Sequence, residues 1–205
     1  MNTEFFDALN RIRAEKGFLS LDELIKLQEN GNIIFDPFST LISSDIEIGA
    51  ENIFYPASVF IAVNGGKIKI GNANTFAGGG LFVADKGNLS IGSNNYFGDG
   101  PIVIKANFPD SNITIKNYCR VVIGAQVFGK TYIGTGCQII GRITVQDCFL
   151  EDGNSYASAD PDLRGAVLKG FGTAKGLKLN TGYVINGQGN FTAENIKKQS
   201  YFHNK

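Results

Sequence analysis

The stretch Ile70-Gly71-Asn72-Ala73-Asn74-Thr75-Phe76-Ala77-Gly78-Gly79-Gly80-Leu81-Phe82 places an apolar residue at every sixth position, on Ile70, Phe76 and Phe82. The same beat continues on both sides. Upstream it falls on Ile48, Phe54 and Phe60; downstream on Ile91, Phe97 and Val103, then Ile115, Val121 and Val127, then Ile133, Ile139 and Val145. Between triplets the steps are 10, 9, 12 and 6, so every irregularity follows a third member and none falls inside a triplet. A period of six fits neither a helical stripe nor an alternating strand, and is a β-helix signal. Three hexads make one turn of a three-faced prism. Stacked turns place the isoleucines on face one, Phe54, Phe76, Phe97, Val121 and Ile139 on face two, and Phe60, Phe82, Val103, Val127 and Val145 on face three.

Gly49, Gly71, Gly92, Gly124 and Gly134 each follow an isoleucine directly, where tight packing or an unusual dihedral favours a missing side chain. Four residues after the face-one isoleucines come Asn52, Asn74, Asn95, Cys119 and Cys137. This spacing predicts an internal ladder at one corner, its amides bonding one another and the turn backbone, because a buried amide without partners costs about 1–3 kcal/mol.

The hexads Ile91-Gly92-Ser93-Asn94-Asn95 and Ile133-Gly134-Thr135-Gly136-Cys137 resemble those of the hexapeptide-repeat, or isoleucine-patch, superfamily of left-handed parallel β-helices. The resemblance covers roughly half the chain. It implies an all-β, left-handed parallel β-helix of about six coils. Left-handedness comes from the resemblance alone, since general crossover chirality favours the right. That superfamily holds CoA-dependent acyltransferases, γ-class carbonic anhydrases and non-catalytic members, and its enzymes are typically trimers with sites between subunits. Coenzyme A or acyl-CoA and a homotrimer are therefore the cofactor and assembly that the resemblance implies.

Among the 205 residues, 19 basic and 19 acidic side chains cancel, and no basic cluster points to nucleic acid or an anionic membrane. No uninterrupted apolar stretch is long enough to span a bilayer and no signal pattern opens the chain, so a cytoplasmic address is expected. Cys119, Cys137 and Cys148 are odd in number and contain no Cys-x-x-Cys pair; they read as reduced, buried small residues rather than a disulfide framework or zinc site.

Residues 1–31 read as a short N-terminal helical cap. Phe5, Leu9 and Ile12 stand at helical spacing, and Ser20-Leu21-Asp22-Glu23 is a capping-box candidate opening a second helix with Leu21, Leu24, Ile25 and Leu27 inward. Such a cap is expected to cover the open end of the β-helix or to pack within a trimer. Residues 32–194 form the β-helix. Its surplus residues, at Asn64-Gly65-Gly66-Lys67, Asp85-Lys86-Gly87 and Phe108-Pro109-Asp110-Ser111, all leave the prism at one corner as a raised wall. The beat returns at Leu179, Ile185 and Phe191. Residues of about 146–178 form either one excursion or, counting Val167 and Thr173 in the beat, a shorter loop of about 151–162 followed by further hexads. Residues 195–205, with Tyr201, Phe202 and His203, form a tail.

Acyl transfer to a hydroxyl normally uses a histidine base, since its pKa lies near working pH. His203 is the only histidine and reaches a site only if the tail folds back or crosses to a neighbour. A γ-carbonic anhydrase zinc site needs three, so no metal site is expected. Transfer to an amine that enters neutral proceeds with a carboxylate base or none. The charged, turn-rich stretch Ser155 to Lys169 supplies Asp160 and Asp162 as candidate bases beside His203; Arg164 within it, and Arg142 and Arg120 outside it, are candidate clamps for a phosphate or carboxylate. The function expected is CoA-dependent acyl transfer to an amino-sugar or small amine without a catalytic histidine; the alternative is a non-catalytic trimeric β-helix scaffold or binding module.

Overall fold

A computed structural model describes residues 3–203; residues 1–2 of the expected cap and 204–205 of the tail lie outside it. From the first strand, Ile33–Ile34, to Gln138–Ile140, each strand pairs in parallel with the third strand after it; Ile143–Gln146 and Phe149–Leu150 pair instead with the second after, Val167–Lys175 and Lys178–Leu179. Such a cyclic pairing of short strands is compatible with a parallel β-helix. A seven-stranded sheet carries face one. A fifteen-stranded sheet carries faces two and three, joined where the long strand Val167–Lys175 rounds the corner between them. That strand bends without a loop because Gly141, Gly170 and Gly187 stack there, and a Cβ on either of the first two would strike the carbonyl of the next.

Register reproduces the six-residue beat. Ile48, Ile70, Ile91, Ile115 and Ile133 stand over one another, continued by Leu150 and Leu179. Phe54, Phe76, Phe97, Val121 and Ile139 stack likewise, extended by Ile34 at one end and by Leu168 and Ile185 at the other. On face three the expectation slips by one residue. Ile104, not Val103, points inward and pairs with Phe82 and Val127. Five residues, 98–102, separate Phe97 from Val103, whereas four, 77–80, separate Phe76 from its equivalent Leu81. The extra corner residue shifts the strand, and a one-residue shift turns every side chain over.

The asparagine ladder forms and begins one rung earlier, at Asn32. Asn52 donates Nδ2 to Asn32 Oδ1 and to Gly71 O; Asn74 donates Nδ2 to Asn52 Oδ1 at 2.9 Å and to Gly92 O at 2.8 Å. The backbone N–H of each next rung, through Asn95 and Cys119, donates to the Oδ1 before it. At this corner Glu51, Ala73, Asn94 and Tyr118 all adopt positive φ, three residues after their isoleucines. The Ile-Gly rule breaks once: Lys116 follows Ile115, and Gly124 lies instead at the corner between faces two and three. Asn95 Nδ2, at the rung where asparagine gives way to Cys119, has no hydrogen-bond partner. Asn74→Ala, which strands the buried Asn95 N–H and Gly92 O, is expected to cost about 1–3 kcal/mol, read as a lower denaturation midpoint; an unchanged midpoint contradicts the ladder's role.

The corner wall also forms, with Asn64 Nδ2 donating to Asp85 Oδ1 and Asn88 N–H to Ser111 O. Helices α1 (Thr3–Glu15) and α2 (Leu21–Lys26) precede the strands. The capping box at Ser20 and Glu23 is present, and Leu24 enters the core. The inward side of α1 is not the one its spacing suggested. Phe5 and Ile12 are exposed, as is Ile25 on α2. Instead α1 turns Arg13 inward, where its guanidinium donates to Leu19 O, Pro37 O and Thr40 O and fastens the helix to the lead-in. No helix among the described residues is long and apolar enough to cross a membrane.

Candidate functional site

Between Leu150 on face one and Leu168 on face two the chain leaves the stack over residues 151–166. Of the two readings of this region, the shorter loop followed by a further rung holds, with Leu168 and Ala174, rather than Val167 and Thr173, inward. Gly165 lies against the backbone of Gly136 and Cys137 with no room for a Cβ, so the loop's return sits flat on the coil beneath. Asp160 caps the turn Pro161–Leu163 by accepting from Asp162 N–H at 3.0 Å. Arg164 donates Nε and Nη2 to Ser158 O, at 2.9 and 2.7 Å, which fixes its guanidinium at the loop's edge.

The tail folds back within the same chain. Ile196–Lys198 pairs antiparallel with Tyr183–Ile185, and Phe202 and His203 follow. Loop and tail rise as two walls over the outward side of face two and enclose a cleft of about 320 Å³. Its floor consists of the outward row Arg120, Gln138, Val167 and Val184 and the next row Ile140, Lys169 and Asn186. Tyr156 and Arg164 line it from the loop; Gln199, Phe202 and His203 line it from the tail. The Arg120 guanidinium lies 5.1 Å from the centre of the Tyr156 ring, a cation–π contact that orients both.

Three of the residues singled out from sequence therefore meet: Arg120, Arg164 and His203. With Lys169 they give the cleft a basic lining that, among the described residues, contains no aspartate or glutamate. Arg142 is elsewhere, in a second cleft of about 380 Å³ at the corner between faces two and three, which Asp99, Ile123 and Gly124 also line. Asp160 and Asp162 do not line the basic cleft; Asp160 caps its turn, and Asp162 accepts from Ser200 N–H and Oγ at 3.0 and 2.9 Å, with Lys198 Nζ 3.7 Å away. Tyr156 and Lys169 fall within the stretch Ser155 to Lys169 and Phe202 within the tail, but they, Asn186 and Gln199 were not singled out as site residues from sequence. Lys169 and Asn186 were findable as outward neighbours of the inward Leu168 and Ile185; the others depend on where loop and tail fold.

Nucleophilic chemistry has no support from the thiols. Burial pushes Cys119 up to about 12 and Cys137 well above the ordinary thiol value, so both stay protonated at neutral pH. Asp152 is pushed up by burial, but hydrogen bonds from Thr135 N–H and Tyr132 Oη outweigh this and hold its carboxyl below the usual value. Among the described residues no cluster of three or more metal-ligating side chains occurs. In comparison with known proteins, no family model and no curated protein matches the chain.

Proposed function

We propose that the basic cleft binds a phosphorylated small molecule and that the chain is a CoA-dependent acyltransferase of the hexapeptide-repeat type, left-handed, trimeric and cytoplasmic. One observation carries the reading: Arg120, Arg164 and Lys169 converge with His203 on a concave site whose described lining holds no aspartate or glutamate. Guanidinium forks suit phosphate oxygens, and clefts of 300–1,000 Å³ are of ligand size. The registers support one winding beyond the six expected, because Leu150, Leu168 and Ala174 fill a turn before Leu179.

In this reading the donor's phosphates lie against the arginines and its thioester is presented to an amino-sugar or other small amine. The neutral amine attacks the thioester carbonyl, a C–N bond forms, and the C–S bond breaks. His203 takes the proton that the nitrogen sheds and returns it to the departing thiolate, giving amide and free thiol. The second reading, a non-catalytic scaffold, draws on the exposed aromatics Phe35 and Tyr55, which pack against each other at 4.9 Å near the N-terminal end and suit a protein partner.

The deciding assay follows free-thiol release from acetyl-CoA with a panel of amines, comparing the wild type with His203→Ala. Amine-dependent release that falls about 10²–10⁴-fold in the variant is the expected result. Absence of amine-dependent release across the panel returns the protein to the scaffold reading.

A further inference from the structure

The carboxylate of Asp162 sits behind the cleft wall, at 21% side-chain exposure, and faces the tail. Its place is rigidly set: Pro161 before it is buried, its own N–H is held by Asp160, and Gly182 packs so closely on its carbonyl that no Cβ fits. From the other side, Gln199 is buried, donating Nε2 to Gly165 O and its backbone N–H to Gly182 O, each at 2.8 Å. Ser200 then gives both its donors to Asp162. The turn closes with Phe202 N–H on Gln199 O, and the next residue is His203 at the cleft. The loop that carries Arg164 and Tyr156 and the tail that carries Phe202 and His203 are thus fastened at one shared latch.

We propose that Asp162 is a positioning residue rather than a base: by latching Ser200 it sets Phe202 and His203 over the cleft, so that loop and tail close on the ligand as one clamp. This rests on reading the cleft as an anion site. The tail's two hydrogen bonds to one carboxylate are charge-assisted, the stronger kind, and removing them frees the segment that follows.

The test uses the chain's single histidine, whose imidazole resonances need no assignment by elimination. In the full-length wild type, below its melting temperature, the ring signals are expected to differ from those of a free histidine peptide and to move on titration with inorganic pyrophosphate. In Asp162→Ala and in Ser200→Ala the ring signals move toward the free-peptide positions and sharpen, and the apparent Kd for pyrophosphate rises about tenfold. Asp162→Asn keeps an acceptor oxygen and restores most of the wild-type shift. A merely structural role lowers the melting temperature in these variants without moving the ring signals of the folded protein. Ring signals identical to wild type in both Asp162→Ala and Ser200→Ala overturn the proposal, and Ser200→Ala decides it if Asp162→Ala does not fold. A ring that is freed in the variants but indifferent to pyrophosphate in the wild type keeps the latch and removes the anion-binding reading.

Discussion

Phe76→Asp is expected to leave no soluble folded protein. Phe76 is 2% exposed and lies in the middle of the aromatic core, stacked on Phe54 at 5.1 Å and 13° and on Phe97 at 5.1 Å and 5°. Edge-on contacts at 4.9 and 5.3 Å join it to Phe60 and Phe82 on face three. The ring therefore ties three successive rungs and two faces together. Truncating such a side chain to alanine costs about 3–5 kcal/mol. A carboxylate in its place adds the cost of an unpaired buried charge, several kcal/mol more, against a typical total of about 5–15 kcal/mol. The loss cannot be confined to one rung, because in stacked repeats each rung is stabilised chiefly by its neighbours. Soluble yield and far-UV circular dichroism report the outcome, with Phe76→Leu as the folded control; an unchanged melting curve for the aspartate variant refutes the stacking frame.

Arg120→Glu is expected to weaken anion binding on the order of 100-fold while leaving the fold intact. Arg120 projects outward from face two, beneath Tyr156, so the substitution disturbs the cleft floor and not the core. Two charges 4 Å apart interact by about 4 kcal/mol at an effective dielectric near 20, and partial exposure reduces this to about 2–3 kcal/mol, which is the stated factor. Reversal removes one attraction and adds one repulsion among cations that are otherwise unopposed. Arg142→Glu is the control, since Arg142 lines the other cleft, together with Asp99. Titrations with pyrophosphate or CoA should separate the two; equal losses in both variants point to overall charge rather than to the cleft.

The fold was legible because an inward side chain every sixth residue is a constraint that stacking cannot relax, and Ile70, Phe76 and Phe82 meet it without exception. The slip at Val103 was not legible, because the Gly98-to-Ile102 corner hides its extra residue in a loop whose length has no periodic signature. Helix α1 misled for a different reason: its apolar spacing is real, but burial went to Arg13, whose three carbonyl partners lie up to 27 residues away in sequence. At the site, Arg120 and Arg164 were recognisable as phosphate-binding types, and their meeting follows from register plus the return of the excursion. Arg142 failed to join them because it follows the corner glycine Gly141 and so turns away from face two. Asp162 was legible as a charged turn residue, yet its partner Ser200 lies 38 positions on, beyond the reach of any local pattern.

The most direct measurement is isothermal titration of the full-length protein with acetyl-CoA, CoA, inorganic pyrophosphate and an uncharged pantetheine analogue. Micromolar binding of the CoA forms, weaker binding of pyrophosphate at the same site, displaceable by CoA, and none of the analogue is the predicted pattern. Absence of heat and of thermal stabilisation by any phosphorylated ligand at millimolar concentration contradicts the account of the cleft.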